Sequence, residues 1–195
     1  MTGMLYDRWN PSLIWVYSGI VSLQLLRFFE SELNVLEFHV REKTGEDIKW
    51  IAPYLKENWG SDKIVSRTRI HNAVELPGFI AEQKNKPVGI TLYNIENNQC
   101  EVVLLESFIE KKGIGSILIE HLKEIAVYKG CKRLWLITTN DNLAAIRFYQ
   151  LKGYSLVAIY RNALEQSRKL KPEIPFTGVD GIPLRDEIEL ELLLE

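Results

Sequence analysis

With 195 residues, 46% of them hydrophobic and 26% charged, the chain has ordinary globular composition, sized for one domain and neither disordered nor membrane-like. A formal net charge of −2 with no basic stripe argues against a nucleic-acid partner. The two cysteines, Cys100 and Cys131, lie in apolar stretches without the Cys/His spacing of a metal site, so buried reduced thiols, no metal and a cytoplasmic location are expected.

Residues 1–34 read as an apolar extension ahead of a domain at residues 35–195. Within it, residues 13–29 are interrupted by Ser18, Ser22, Gln24 and Arg27. That is shorter and more polar than the ~20 apolar residues a bilayer span needs, so membrane association is not expected. The start, with Asp7-Arg8, lacks the basic character of a signal peptide. An accessory amphipathic helix fits best, with a membrane-associated anchor or an added leader as alternatives.

Leu36, Phe38 and Val40 alternate with polar residues, which predicts a half-buried strand. Thr44 or Asp47 then caps a helix whose stripe is Ile48, Ile51, Tyr54 and Leu55, with Pro53 limiting its regularity. Residues 63–70 suit helix or strand, with strand the closer fit. Residues 78–83, 88–95 and 100–106 read as three consecutive strands separated by turn-forming segments, an antiparallel meander. The last is apolar on both faces and so is expected to be central.

The period then changes. Ile114, Ile117, Leu118, His121, Leu122, Ile125 and Ala126 share one helical face, and the helix stops near Gly130. A buried strand at 134–137 follows, then a helix at 142–152, a strand at 154–160, a short helix at 163–170, a Pro- and Gly-punctuated loop, and a closing strand at 188–194. A meander running into a βαβ unit makes an α+β fold: a central mixed, mostly antiparallel sheet in three layers, with helices on both faces.

Two segments carry chemistry. At Glu110-Lys111-Lys112-Gly113-Ile114-Gly115-Ser116 a buried strand hands over to an amphipathic helix. Glycines there let a ligand approach backbone, and free first-turn N–H groups with the helix dipole favour an anion such as a pyrophosphate. Glycines serving only a tight turn are the plainer reading. The third glycine of a dinucleotide fingerprint is missing. In the second segment, residues 134–154, a strand ends in a polar cluster and a helix starts near Asn142, with Tyr149 two turns on and facing the same way. Phe148 and Tyr149 equally suit plain core packing.

Together the two segments resemble the GNAT superfamily of N-acetyltransferases. Gly113-Ile114-Gly115 supplies the glycines of its cofactor signature, and Asn142, Ala145, Phe148, Tyr149, Gly153 and Tyr154 fill the second signature. The resemblance runs from about Leu36 to Leu194. Glu110 departs from it, standing where the family has Gln or Arg.

The resemblance implies a GNAT-like fold and transfer of an acetyl group from acetyl-CoA to a primary amine of a small molecule or peptide, by direct attack in a ternary complex. It implies that the pantetheine pairs with the backbone of Val103, Leu104 and Leu105. The pyrophosphate would sit on Lys111, Lys112, Gly113, Ile114, Gly115 and Ser116, and Asn142 and Ala145 would touch the cofactor. Tyr149 would protonate the leaving thiolate. Glu101 matches the family position of the base, with Glu106 second; Ile137, where some relatives carry a base, cannot serve. Five residues apart on one strand, Glu101 and Glu106 are expected on opposite faces unless a bulge near Leu105 re-aims one. Trp59, Arg69, His71 and Asn72 fall where the acceptor would bind, and residues 171–175 and 180–187 suit either the wall of an acceptor pocket or a proline-stiffened connection into the last strand. The partners expected are acetyl-CoA and an amine, with a homodimer as an option. The alternative function is a non-catalytic acyl-CoA sensor on the same fold.

Overall fold

β1 (His39–Glu42) pairs on one side only and so forms an edge of the main sheet in a computed structural model that describes residues 38–195. The expected N-terminal extension, and Leu36 of the expected first strand, lie outside the described residues. Thr44 and Asp47 form a capping box before helix α1 (Ile48–Trp59), which ends at Gly60 with φ 78°. Ile51 and Leu55 are its buried stripe, and Pro53 is exposed on the opposite side.

Residues 63–72 form a hairpin, β2 (Lys63–Ser66) and β3 (Arg69–Asn72), rather than a single element. Its two-residue turn, Arg67-Thr68, holds both residues at positive φ without the Gly or Asn that usually marks such turns. The meander β4 (Gly78–Gln83), β5 (Lys86–Glu96) and β6 (Gln99–Ser107) turns at Lys84-Asn85 and Asn97-Asn98, again all at positive φ. Then come α2 (Ile114–Tyr128), β7 (Arg133–Thr139), α3 (Leu143–Leu151), β8 (Ser155–Tyr160), α4 (Ala163–Leu170) and β9 (Glu187–Leu193).

The main sheet has the order β1-β4-β5-β6-β7-β9-β8, and β6–β7 is its one parallel pair among the described residues. Helices cover both faces. On one, Leu118 and Leu122 of α2 and Tyr149 of α3 pack on Cys100, Val102, Leu134, Leu136 and Leu190. On the other, Ile51 and Leu55 of α1 and Ile64 of the hairpin pack on Ile80, Ile90, Leu92 and Leu104. Cys100 and Cys131 are buried free thiols. No helix among the described residues is long and apolar enough to cross a membrane, and none of their His, Cys, Asp and Glu side chains group to hold a metal.

Two irregularities of β6 create the site. It pairs with β7 only from Gln99↔Arg133 to Glu101↔Trp135, after which the strands part. On its other side Tyr93 pairs with Val102 and Leu92 with Leu104, so Val103 is an inserted residue, a β-bulge. The bulge therefore sits at Val103 and not near Leu105. Its consequence corrects the expected geometry: Glu101 and Glu106 pair with Asn94 and Ile90, four residues apart on β5, and so share one face.

Candidate active site

Where β6 and β7 part, a cleft of about 730 Å³ opens, within the range of small-molecule sites. One wall is the β6 backbone at Val103, Leu104 and Leu105, whose outward polar groups have no β7 partner. The other is Leu136, Ile137 and Thr138, continued by Asn142, Ala145, Phe148 and Tyr149 of the following turn and α3.

One end of the cleft is the N-terminus of α2. Gly113 caps it at φ 81°, and the first intrahelical bond runs from Ile117 N–H to the Gly113 carbonyl. The N–H groups of Ile114, Gly115 and Ser116 thus precede the helical ladder and suit an anion. Gly115 sits against β6 and α3: a Cβ there would lie 3.4 Å from Ser107 Oγ and 3.5 Å from Phe148 Cζ. Lys111 lines the cleft with Glu110, whereas Lys112 does not. All three are exposed, so the Glu110 charge is solvated rather than pressed against the helix terminus.

Glu106 lines the cleft from β6 and Glu101 does not. The Glu106 carboxylate accepts the Trp59 indole N–H at 2.6 Å and the Tyr54 hydroxyl, both from α1. No cation pairs with it among the described residues, and burial pushes its carboxyl up to about 7. Glu101 is 2% exposed and lies against β3, its Oε2 3.2 Å from His71 Nε2. The approach misses hydrogen-bond geometry, so both Glu101 oxygens and His71 Nε2 lack a hydrogen-bond partner. Of the two candidate bases, Glu106, placed second on sequence, is thus the one on the cleft wall.

Tyr149 reaches the cleft from the core and is 5% exposed, set edge-on to Phe148 and Tyr154 with centroids 5.1 Å away in each case. Burial, then the neighbouring Tyr154, hold its phenol well above the usual range, so it stays protonated. Asn142 orients this helix: its Oδ1 accepts the Ala145 N–H at 3.1 Å as the N-cap of α3.

Of the expected acceptor residues, Trp59 meets the cleft and His71 is buried beside Glu101. Arg69 pairs with Glu96 and Asn72 is exposed. Tyr54 was readable only as part of an apolar stripe; its hydroxyl was the overlooked signal. The segment after α4 is fastened beside the cleft. Asn140 Oδ1 accepts the N–H groups of Arg185 and Asp186, each at 2.9 Å, and Asp141 Oδ2 accepts that of Val179 at 2.9 Å.

The model of the acetyltransferase (GNAT) family matches residues 44–154. The Bacillus subtilis (strain 168) protein YdhI, described as uncharacterized, is 41% identical over 139 residues, 71% of this chain and 87% of its own length. An IAA acetyltransferase from Bacillus cereus ATCC 14579 has the same fold, with TM-score 0.62 at 18% identity over 81% of this chain and 100% of that one. So does a GNAT family acetyltransferase from Elizabethkingia anophelis with acetyl-CoA bound, at TM-score 0.61 and 19% identity over 80% and 98% of the two chains.

Proposed function

The chain belongs to the acetyltransferase (GNAT) family, and from that premise we propose that it transfers an acetyl group from acetyl-CoA to a primary amine, with Glu106 as base and Tyr149 as acid. The observation that carries this reading is the cleft itself: a carboxylate on one arm and a protonated phenol on the other, with the free first-turn N–H groups of a helix at its end. The relative with acetyl-CoA bound supports the choice of donor. The diphosphate suits the N–H groups of Ile114, Gly115 and Ser116, with Lys111 beside it. The pantetheine amides suit the unpaired backbone of Val103, Leu104 and Leu105, and the acyl chain lies toward Asn142 and Ala145.

An alkyl amine has a pKa of about 10.4, so at neutral pH roughly one molecule in a thousand is nucleophilic. Burial lifts the Glu106 carboxyl to about 7, so near neutral pH its ionised form is within reach and can take the amine proton, directly or through water. The freed nitrogen forms a bond to the thioester carbonyl carbon as the carbon–sulfur bond breaks. Outward N–H groups of the parted β6 can meet the developing oxyanion. The departing thiolate takes the Tyr149 proton, and the second proton, lost by the nitrogen once it is acylated, restores the phenol. Burial that raises the phenol raises the thiolate's proton affinity too, so donor and acceptor remain matched.

Thiol release from acetyl-CoA, followed over a panel of primary amines, tests the proposal, with calorimetric CoA binding alongside. Amine-dependent release is expected. Binding without turnover on any amine would favour the acyl-CoA sensor instead.

A further inference from the structure

Tyr54 and Trp59, both on α1, give the Glu106 carboxylate one donor to each oxygen. The Tyr54 hydroxyl reaches Oε2, and the Trp59 indole N–H reaches Oε1 at 2.6 Å. Tyr54 is anchored by its ring, which packs on Phe108 with centroids 5.0 Å apart and on Trp50 at 6.5 Å. Trp50 also meets Phe108 edge-on at 6.1 Å, and its indole N–H donates to Asp47 at 3.1 Å, tying the cluster to the capping box ahead of α1. Trp59 is the last residue of the helix and lines the cleft with Glu106.

Both donors are neutral, which limits how far they can pull. Asp47 shows the effect of a cation: Arg41 holds its carboxyl well below the usual range, and a carboxylate so stabilised is a weak base. Burial acts the other way and lifts Glu106 to about 7; lifted much further, the carboxyl would be protonated and idle at neutral pH. Neutral donors favour the ionised form without the full pull of a cation. The other titratable groups around Glu106 form no ion pair with it among the described residues. Glu110 and Lys111 line the cleft from the exposed loop, Tyr149 stands on the opposite arm, and Glu101 lies against His71. Lys56 and Glu57 of α1, and Glu173 beside Gly60, are exposed. Ile90 on β5 and the β7 wall of Leu136, Ile137 and Thr138 carry no charge.

Resting on the acetyl-transfer reading above, we propose that Tyr54 and Trp59 are positioning residues, a two-donor clamp that keeps the Glu106 carboxylate ionised and in place to take the amine proton. They act on the reaction only through Glu106. Removing either donor therefore leaves a carboxylate that protonates at higher pH, while the protein around it is unchanged.

Tyr54→Phe is the leading variant, because its ring keeps its place against Trp50 and Phe108 and only the donor is lost. On the primary amine with the highest turnover, the rising limb of kcat/KM should move up by about one pH unit in Tyr54→Phe and in Trp59→Phe. Each should lose about tenfold near pH 6 and close most of that gap near pH 9, where the carboxylate is ionised with or without its donors. Packing damage would instead lower the rate at every pH. In Glu106→Gln, which has no carboxylate to ionise, adding Tyr54→Phe should change the rate by less than about twofold. A carboxyl-carbon NMR titration of Glu106 in the full chain, assigned by the signal missing from Glu106→Gln, reads the same midpoint without turnover. A midpoint that rises in both variants, with no acetylation of any amine, would sink the transferase and keep the clamp. Acetylation with limb and midpoint unmoved in both variants would keep the transferase and sink the clamp. Retained CoA binding certifies that the variants are folded.

Discussion

Glu101 and Glu106, five residues apart on β6, direct their carboxylates to the same face of the sheet because Val103 is inserted between them with no partner on β5. They differ in what surrounds them: Glu106 stands at the cleft between two donors from α1, and Glu101 is shut under β3 beside His71. Position relative to the reacting groups, and not the face, separates them as bases.

Activity should follow that difference. The base must be ionised, so wild-type kcat/KM should climb as pH rises through about 7, the value to which burial lifts Glu106. Glu106→Gln should cost about 10²–10⁴-fold at neutral pH, remove that limb, and recover at alkaline pH where the amine loses its proton unaided. Glu101→Gln should cost less than about tenfold and keep the limb. Rate profiles of the two variants decide this; a limb that survives in Glu106→Gln and vanishes in Glu101→Gln reverses the roles.

Tyr149→Phe should lower kcat by about 10²-fold or more and leave CoA affinity near that of the wild type, since the ring still packs edge-on against Phe148 and Tyr154. Single-turnover kinetics with a poorly leaving thiol should show a larger loss than with a good one. Equal losses with both would mean that the phenol packs and does not donate.

Gly115→Val should weaken CoA binding about tenfold or more. Even the first added carbon comes within 3.4 Å of Ser107 Oγ and 3.5 Å of Phe148 Cζ, and the branch beyond it must press into one of them or into the cleft. Calorimetry on the variant, with its thermal unfolding measured alongside, gives the answer; wild-type affinity in a folded variant would move the cofactor away from this helix start.

A stability prediction concerns the other end of the chain. Asp47, buried, accepts two bonds from the Arg41 guanidinium at 2.8 Å each, and others from Thr44 and Trp50. Its carboxyl is held well below the usual range, chiefly by Arg41. A depressed carboxylate adds stability that is full above the unfolded value near 3.9 and is lost as pH falls below it toward the folded value. Asp47→Asn should therefore cost about 2–4 kcal/mol at pH 7, and the gap to wild type should shrink below about pH 4. Denaturant unfolding at both pH values measures it; a gap that persists undiminished at the lower pH contradicts the ion-pair account.

The meander, the amphipathic helix α2 and the Asn142–Tyr149 helix were readable because each is set by local periodicity, by Asn-containing turns, or by glycine where a helix starts. The β2–β3 hairpin was not, since Arg67-Thr68 has the turn's backbone without its usual residues. The bulge was hidden for another reason. In Val102-Val103-Leu104-Leu105 every side chain is apolar, so no alternation remains to show a change of phase, and only pairing with β5 fixes it. The same gap leaves the two glutamates of this strand alike until the distant partners Tyr54, Trp59 and His71 are known.

Within the main sheet, four strands ending in β6 and three beginning with β7 are riveted together by three residue pairs at one end, Gln99↔Arg133 to Glu101↔Trp135. Mechanically this is a pair of plates joined along a short seam and open beyond it. A donor molecule whose amides bridge the gap would act as the missing stitches, so loading the active site and finishing the sheet become one event. At a hundred times its dissociation constant such a ligand adds about 2.7 kcal/mol to the folded state. The lifetime of the protein against unfolding and proteolysis would then rise and fall with the supply of its own acyl donor.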